Sequence, residues 1–152
     1  MRVIATKRTS QGYDGPADEV WPADRLDDLL RESDYVALHC PLTDQTRGLI
    51  TRERLALMKP SAYLINVARG QVVDEPALLD ALRSRAIAGA ALDHLYDEPL
   101  PPESPFWDLD NVLITPHTAG ETQRYEENVL DVLLENLQKL ECGETELRNQ
   151  IV

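Results

Sequence analysis

The chain has 152 residues, 43% of them apolar, which is a one-domain length with enough apolar side chain to bury a core. Its formal net charge of −12 argues against a nucleic-acid partner, because binding phosphates needs clustered Lys and Arg. No apolar run reaches the length of a membrane span, Met1-Arg2-Val3-Ile4-Ala5 lacks the layout of a signal peptide, and Cys40 and Cys142 are too few for a disulfide framework, all of which fits a cytoplasmic protein.

Arg2-Val3-Ile4-Ala5-Thr6 reads as a short strand. Between Pro22 and Arg31, Leu26, Leu29 and Leu30 recur at helical spacing with acids between them. Asp34-Tyr35-Val36-Ala37-Leu38 is a continuous apolar run, the pattern of a strand buried on both faces. Thr51 can cap a helix through Met58, which Lys59-Pro60 ends. Ala62-Tyr63-Leu64-Ile65-Asn66-Val67 is another buried strand. Asp74 then caps a helix with Pro76 in its first turn, where the missing N–H costs nothing. Ala88-Gly89-Ala90-Ala91-Leu92 makes a strand of small residues, a Pro-rich loop runs to Asp110, and Val112-Leu113-Ile114 is the last strand. From about Thr122 to Leu140, the residues Val129, Val132, Leu133 and Leu137 form one face of a long helix, stopped near Gly143. Strands alternating with helices predict a parallel sheet with right-handed crossovers. In such sheets the ligand sits beyond the C-terminal ends of the strands.

The residues just after each strand are therefore the ones to read for chemistry. Thr6, Lys7, Arg8 and Thr9 come after the first. In a dinucleotide-binding fold an acid at this point holds the adenosine ribose, while a cation accommodates a 2′-phosphate. Lys7 and Arg8, with no acid beside them, favour NADP over NAD; the plain alternative is a solvated basic pair. His39-Cys40-Pro41-Leu42-Thr43 comes after the next strand, and Val67-Ala68-Arg69-Gly70 after the one beyond it. An Arg so placed can grip a carboxylate through two parallel hydrogen bonds, and Gly70 lets the chain turn sharply beside it. Taken singly, an Arg is more often a surface residue or a partner of a helix cap. Asp93 through Pro99, including Glu98, succeeds the small-residue strand, and Thr115-Pro116-His117-Thr118 the last. A His and a Glu within hydrogen-bond reach form a general acid with an adjusted pKa, although a lone His at a strand end is usually structural. Asp93, His94, Asp97 and Glu98 match no specific metal-ligand spacing, so no metal is expected.

The four blocks HCPLT from His39, NVARGQVVDEPALLDAL from Asn66, GAALDHLYDEPLP from Gly89 and NVLITPHTAG from Asn111 resemble, in order and spacing, the D-2-hydroxyacid dehydrogenases. That family includes phosphoglycerate dehydrogenase and glyoxylate or hydroxypyruvate reductase, and the resemblance runs from Arg2 to the closing Asn149-Gln150-Ile151-Val152. It implies a Rossmann-like, doubly wound parallel α/β sheet. It further implies that Arg69 is the substrate-carboxylate arginine, His117 the catalytic acid–base, and Glu98 the acid that hydrogen-bonds His117 and raises its pKa. Asp93 would lie near the nicotinamide amide, Val67 and Ala68 along the nicotinamide ring, and Pro41 and Thr43 on the adenosine side. Formate dehydrogenases look similar but carry Gln before the matching proline, so Glu98 disfavours formate as substrate.

The seven glycines, at positions 12, 15, 48, 70, 89, 120 and 143, contain no G-x-G-x-x-G trio. By the resemblance, Met1 falls where the family enters its second Rossmann strand. Strand 1, the Gly-rich loop and most of the substrate domain are then expected outside this sequence. Residues 1–141 would be a partial NAD(P)-binding domain, and 142–152 a tail leading back toward the substrate domain. In the order 3-2-1-4-5-6, strand 1 joins strands 2 and 4, so the 2–3 pair and the 4-5-6 group would stand apart, each with an open edge. The expectation is a segment of an ordinary dehydrogenase, inactive alone. Its alternatives are one piece of a split enzyme, or a non-catalytic remnant that binds a cofactor or a protein. The expected partners are a small 2-oxo or 2-hydroxy acid and, since family members are typically dimers, a second copy or a complementing polypeptide; nucleic acid and membrane are not expected.

Overall fold

The computed structural model describes residues 1–8 and 12–150, so Thr9 and the closing Ile151-Val152 lie outside the described residues. Six short strands pair only in parallel. Strand β1 (Ile4–Lys7) pairs with β2 (Glu19–Pro22), while β3 (Tyr35–Leu38), β4 (Tyr63–Asn66), β5 (Gly89–Leu92) and β6 (Val112–Ile114) form a second sheet in that order. Among the described residues no ladder joins the two sheets, but the split is two strands and four instead of two and three: the partner of β1 is β2, a strand the sequence pattern does not predict, and Tyr35–Leu38 pairs with Tyr63–Asn66 in the larger sheet. Strand β2 has only Val20 and Trp21 as apolar residues between Glu19 and Pro22, too few to show a period, and nothing in the sequence pattern singles it out. It is held by burial of Trp21, over whose ring the guanidinium of Arg25 stacks at 4.1 Å.

The helices start at their caps. Helix α1 (Leu26–Glu32) buries Leu26, Leu29 and Leu30. Helix α2 (Arg52–Leu55) starts at Thr51, whose hydroxyl accepts from the Arg54 N–H, and keeps α-geometry for one turn only instead of running to Met58. Met58 is nonetheless buried, carried inward by the turns after the helix. Helix α3 (Glu75–Arg83) is capped by Asp74, which accepts from the Ala77 N–H at 3.0 Å, and it buries Ala77, Leu78, Ala81 and Leu82.

The strands of the larger sheet are not buried on both faces. Val36, Leu38, Leu64, Ala90 and Leu92 point into one core shared with Leu30 of α1, Leu55 of α2, and Leu78 and Leu82 of α3. The alternate residues point the other way, where Tyr35 and Leu113 are each 63% exposed and Tyr63 stacks on Tyr35 with centroids 5.7 Å apart. The expectation of doubly buried strands is corrected by this geometry: α1, α2 and α3 all pack on the Val36–Leu64 face. A continuous apolar run does not say how many faces are covered.

The chain divides into two compact units, Met1–Ala119 and Gly120–Val152. The second is built on helix α4 (Tyr125–Glu141). It ends where Gly143 takes φ 78°, with the Gly143 N–H donating to Leu140 O and the Glu144 N–H to Lys139 O. This is the left-handed stop that glycine supplies without a Cβ penalty. Among the described residues no helix is long and apolar enough to cross a membrane.

Candidate active site

Parallel strands carry their successors to one edge of the sheet, so the segments after β3, β4, β5 and β6 share the C-terminal edge. The turn after β4 is organised by buried Asn66, whose Oδ1 accepts from the Ala68 N–H at 3.0 Å and whose Nδ2 donates to Arg69 O at 3.0 Å. Gly70 then passes against the chain after β5. A Cβ built there would fall 2.1 Å from the carbonyl carbon and oxygen of Leu95. Glycine is required here by close approach, and that approach brings Arg69 beside the β5 segment.

After β5, Asp93 is buried with both carboxylate oxygens engaged. Oδ1 accepts from Thr115 Oγ1 at 2.5 Å and the Thr118 N–H at 2.9 Å, and Oδ2 from the Ala119 N–H at 3.0 Å. Burial opposes its ionisation, but these hydrogen bonds and nearby His94 outweigh that and hold its carboxyl below the ordinary aspartate range. Asp93 thereby pins the segment that carries His117, which sits at φ 57°. A non-glycine residue in this region is uncommon, although His tolerates it better than most, and it persists where surrounding bonds over-determine the backbone.

His117 Nδ1 lies 2.7 Å from Glu98 Oε2. The other oxygen, Oε1, accepts from the Leu95 N–H at 3.1 Å and lies 3.3 Å from His94 Nδ1. Burial alone would raise the Glu98 pKa, yet the hydrogen bonds from His117 and Leu95 and the two nearby imidazoles bring it below the usual carboxylate range. The His94 ring is buried and meets His117 edge-on, centroids 3.8 Å apart. Its Nε2 lies 3.3 Å from Arg69 Nη1, which also donates to Ala68 O at 2.6 Å. Arg69, His94, Glu98 and His117 therefore form one continuous polar chain.

Beside it, a cleft of roughly 480 Å³ is lined by His39, Cys40, Pro41, Leu42, Val67, Ala68 and Arg69. Burial pushes the Cys40 thiol pKa up, so it contributes apolar surface. Of the residues singled out from the sequence, Pro41, Val67, Ala68 and Arg69 meet at this cleft, and Asp93, Glu98 and His117 lie in the segments after β5 and β6. Thr43 does not line the cleft; it closes a turn, its N–H donating to Thr46 Oγ1 at 2.8 Å. Lys7 and Arg8 lie at the end of β1 in the smaller sheet, exposed, with Lys7 Nζ 5.7 Å over the Tyr13 ring. The sequence pattern points to His94 only as a neighbour of the loop acids. One ligand atom each of His94, Glu98 and His117 lies within 4.8 Å of the others, a different group from the Asp93, His94, Asp97 and Glu98 set. A cation there would sit beside the Arg69 guanidinium and would need both Nδ1 atoms unprotonated, against the hydrogen bonds to Glu98.

The family described as "D-isomer specific 2-hydroxyacid dehydrogenase, NAD binding domain" matches residues 1–119. The chain belongs to this family. It is 49% identical over 119 residues to a glyoxylate reductase of Thermofilum pendens, covering 78% of this chain and 35% of that protein. It therefore spans about a third of that enzyme's length. A D-isomer specific 2-hydroxyacid dehydrogenase from Xanthobacter autotrophicus in complex with NADPH and MES superimposes with a TM-score of 0.82 at 36% identity, over 100% of this chain and 71% of that one. An NADPH-dependent glyoxylate/hydroxypyruvate reductase from Sinorhizobium meliloti, in complex with NADP and sulfate, gives a TM-score of 0.86 at 30% identity, over 99% of this chain and 48% of the other. The fold is Rossmann-like, and the 2-hydroxyacid dehydrogenases are NAD(P)-dependent oxidoreductases.

Proposed function

We propose that this chain supplies the nicotinamide side and the acid–base machinery of an NADP-preferring reductase of small 2-oxo acids. The observation that carries the reading is the convergence of Arg69 with the 2.7 Å His117–Glu98 pair at one sheet edge, next to the cleft. The donor set suits a nicotinamide cofactor. Val67 and Ala68 offer small apolar surface for a flat ring, Pro41 would border the adenosine with Thr43 shaping the turn beyond it, and Asp93 borders the site while holding the His117 segment. When bound, NAD(P)H supplies the hydride that reaches C2 of the oxo acid.

The residues of this chain do the rest. Arg69 grips the substrate carboxylate and offsets negative charge growing on the carbonyl oxygen. His117, bonded to Glu98 through Nδ1, has Nε2 free to deliver a proton to that oxygen, and the Glu98 carboxylate offsets the charge on the ring. Glyoxylate and hydroxypyruvate are the favoured substrates, since relatives of this chain carry those names. Lys7 and Arg8 favour NADP by charge, in keeping with the NADPH and NADP complexes of the two solved neighbours. A second copy, or a complementing polypeptide, is the macromolecular partner this reading carries.

The test is cofactor oxidation with glyoxylate and hydroxypyruvate, using NADPH and NADH in parallel. The complete protein containing this chain is expected to turn over with NADPH preferred, and His117→Asn to lower kcat about 10²–10⁴-fold. This segment alone is expected to be inactive. Failure of the complete protein with every 2-oxo acid overturns the dehydrogenase reading, turnover by the segment at ordinary rates overturns its status as a part, and an NADH preference rejects the role of Lys7 and Arg8.

A further inference from the structure

His94 has no part in the mechanism above, yet it is 5% exposed and touches both functional groups at once. Nε2 lies 3.3 Å from Arg69 Nη1, and Nδ1 lies 3.3 Å from Glu98 Oε1. A guanidinium has five N–H donors and no acceptor, so it bonds His94 only if Nε2 carries a lone pair. The ring proton is then on Nδ1, where the carboxylate of Glu98 accepts it. Both neighbours select the same neutral tautomer. Asp93 Oδ2, which would favour the other tautomer, is 3.8 Å from Nε2 and beyond hydrogen-bond reach.

The two hydrogens of Arg69 Nη1 are thereby both engaged, one by Ala68 O at 2.6 Å and one by His94 Nε2. Among the described residues the Nε–H and Nη2–H edge bonds nothing, and that edge presents two parallel donors to a carboxylate. Without His94, the guanidinium would be held among the described residues by a single backbone carbonyl, and a long flexible side chain would have to be ordered by each substrate. We propose that His94 is a positioning residue that orients Arg69 for two-pronged carboxylate binding and braces it against Glu98, the same carboxylate that holds His117. The substrate grip and the proton donor are then set by one shared acid. This inference rests on the reading of Arg69 as the carboxylate-binding group.

Two substitutions separate the halves of the bridge. A Gln side chain can place its oxygen where Nε2 lies and keep the bond to Arg69, whereas Asn reaches only the position of Nδ1 and keeps the bond to Glu98. In the complete enzyme, His94→Asn is expected to raise KM for the 2-oxo acid about tenfold with kcat changed less than about threefold. His94→Gln is expected to stay within about threefold of the parent in both constants. Equal KM for the two variants, or an effect confined to kcat, would overturn the proposal. Independently of activity and of any variant, ¹⁵N NMR of the imidazoles in this chain at about pH 8 is expected to show His94 protonated at Nδ1 and bare at Nε2. A ring protonated at Nε2 overturns the bridge. A wild-type enzyme that turns over no 2-oxo acid overturns instead the reading of Arg69, and the tautomer then decides the bridge by itself.

Discussion

Asp93 is the residue on which the geometry of the site most depends. Three donors from the segment after β6 converge on its buried carboxylate, and with the 2.7 Å contact between His117 and Glu98 they fix that loop. Because folding holds Asp93 below the ordinary aspartate value of about 3.9, its contribution to stability is fully present above that value and is lost as pH falls through the lower folded value. Asp93→Asn sets an amide N–H₂ among donors, and is expected to cost about 2 kcal/mol near neutral pH. Urea denaturation of parent and variant across the acid range checks the sign. The gap between them should narrow as pH falls below about 4, where the parent also loses its charge. A gap that stays constant to the lowest pH would show that ionised Asp93 contributes nothing.

At the scale of elements, the packing of two turns matters more than the propensity of any strand. The β4 and β5 segments approach so closely that Gly70 lies against the Leu95 backbone, and backbone cannot swing aside as a side-chain tip can. Gly70→Ala is therefore expected to destabilise the first unit by roughly 3 kcal/mol, in the range of overpacked cores, and to separate Arg69 from His94. The checks are the urea midpoint and the His94 ring resonances. A variant of parental stability would mean that the contact relaxes at no cost. Gly143 is a contrasting case, since its φ of 78° needs glycine for conformation while nothing crowds the space around it.

At the scale of the molecule, each unit leaves apolar surface in water. In the first, Tyr35, Tyr63 and Leu113 face solvent from the uncovered side of the sheet; in the second, Val129, Leu133 and Leu137 do so along α4. Exposed apolar surface of this extent favours association. The chain alone is expected to sediment as more than a monomer, with dissociation on dilution, and Leu133→Glu with Leu137→Glu to lower the associated fraction by placing charge on the apolar face. A wild-type chain that remains monomeric at every concentration would contradict this.

Apart from β2, the order of strands and helices, the caps at Thr51 and Asp74, and the stop at Gly143 were legible in the sequence, because each is set by neighbours a few residues away. That Arg69, Glu98 and His117 share one edge follows for a related reason, since parallel strands deliver their succeeding loops to a common edge. Covering of the sheet was not legible, since an apolar run records what a strand can bury and not which helices pack on it. Strand β2 was too short to show a period. The contacts of His94 were hidden for a different reason, because folding alone brings its ring to Arg69, 25 residues away, and to Glu98 across a loop. The sequence by itself determined which chemical groups stand at the ends of the strands. Only the tertiary structure, through the close approach at Gly70 and the anchoring by Asp93, decided which of them touch and which ring nitrogen of His94 faces the arginine.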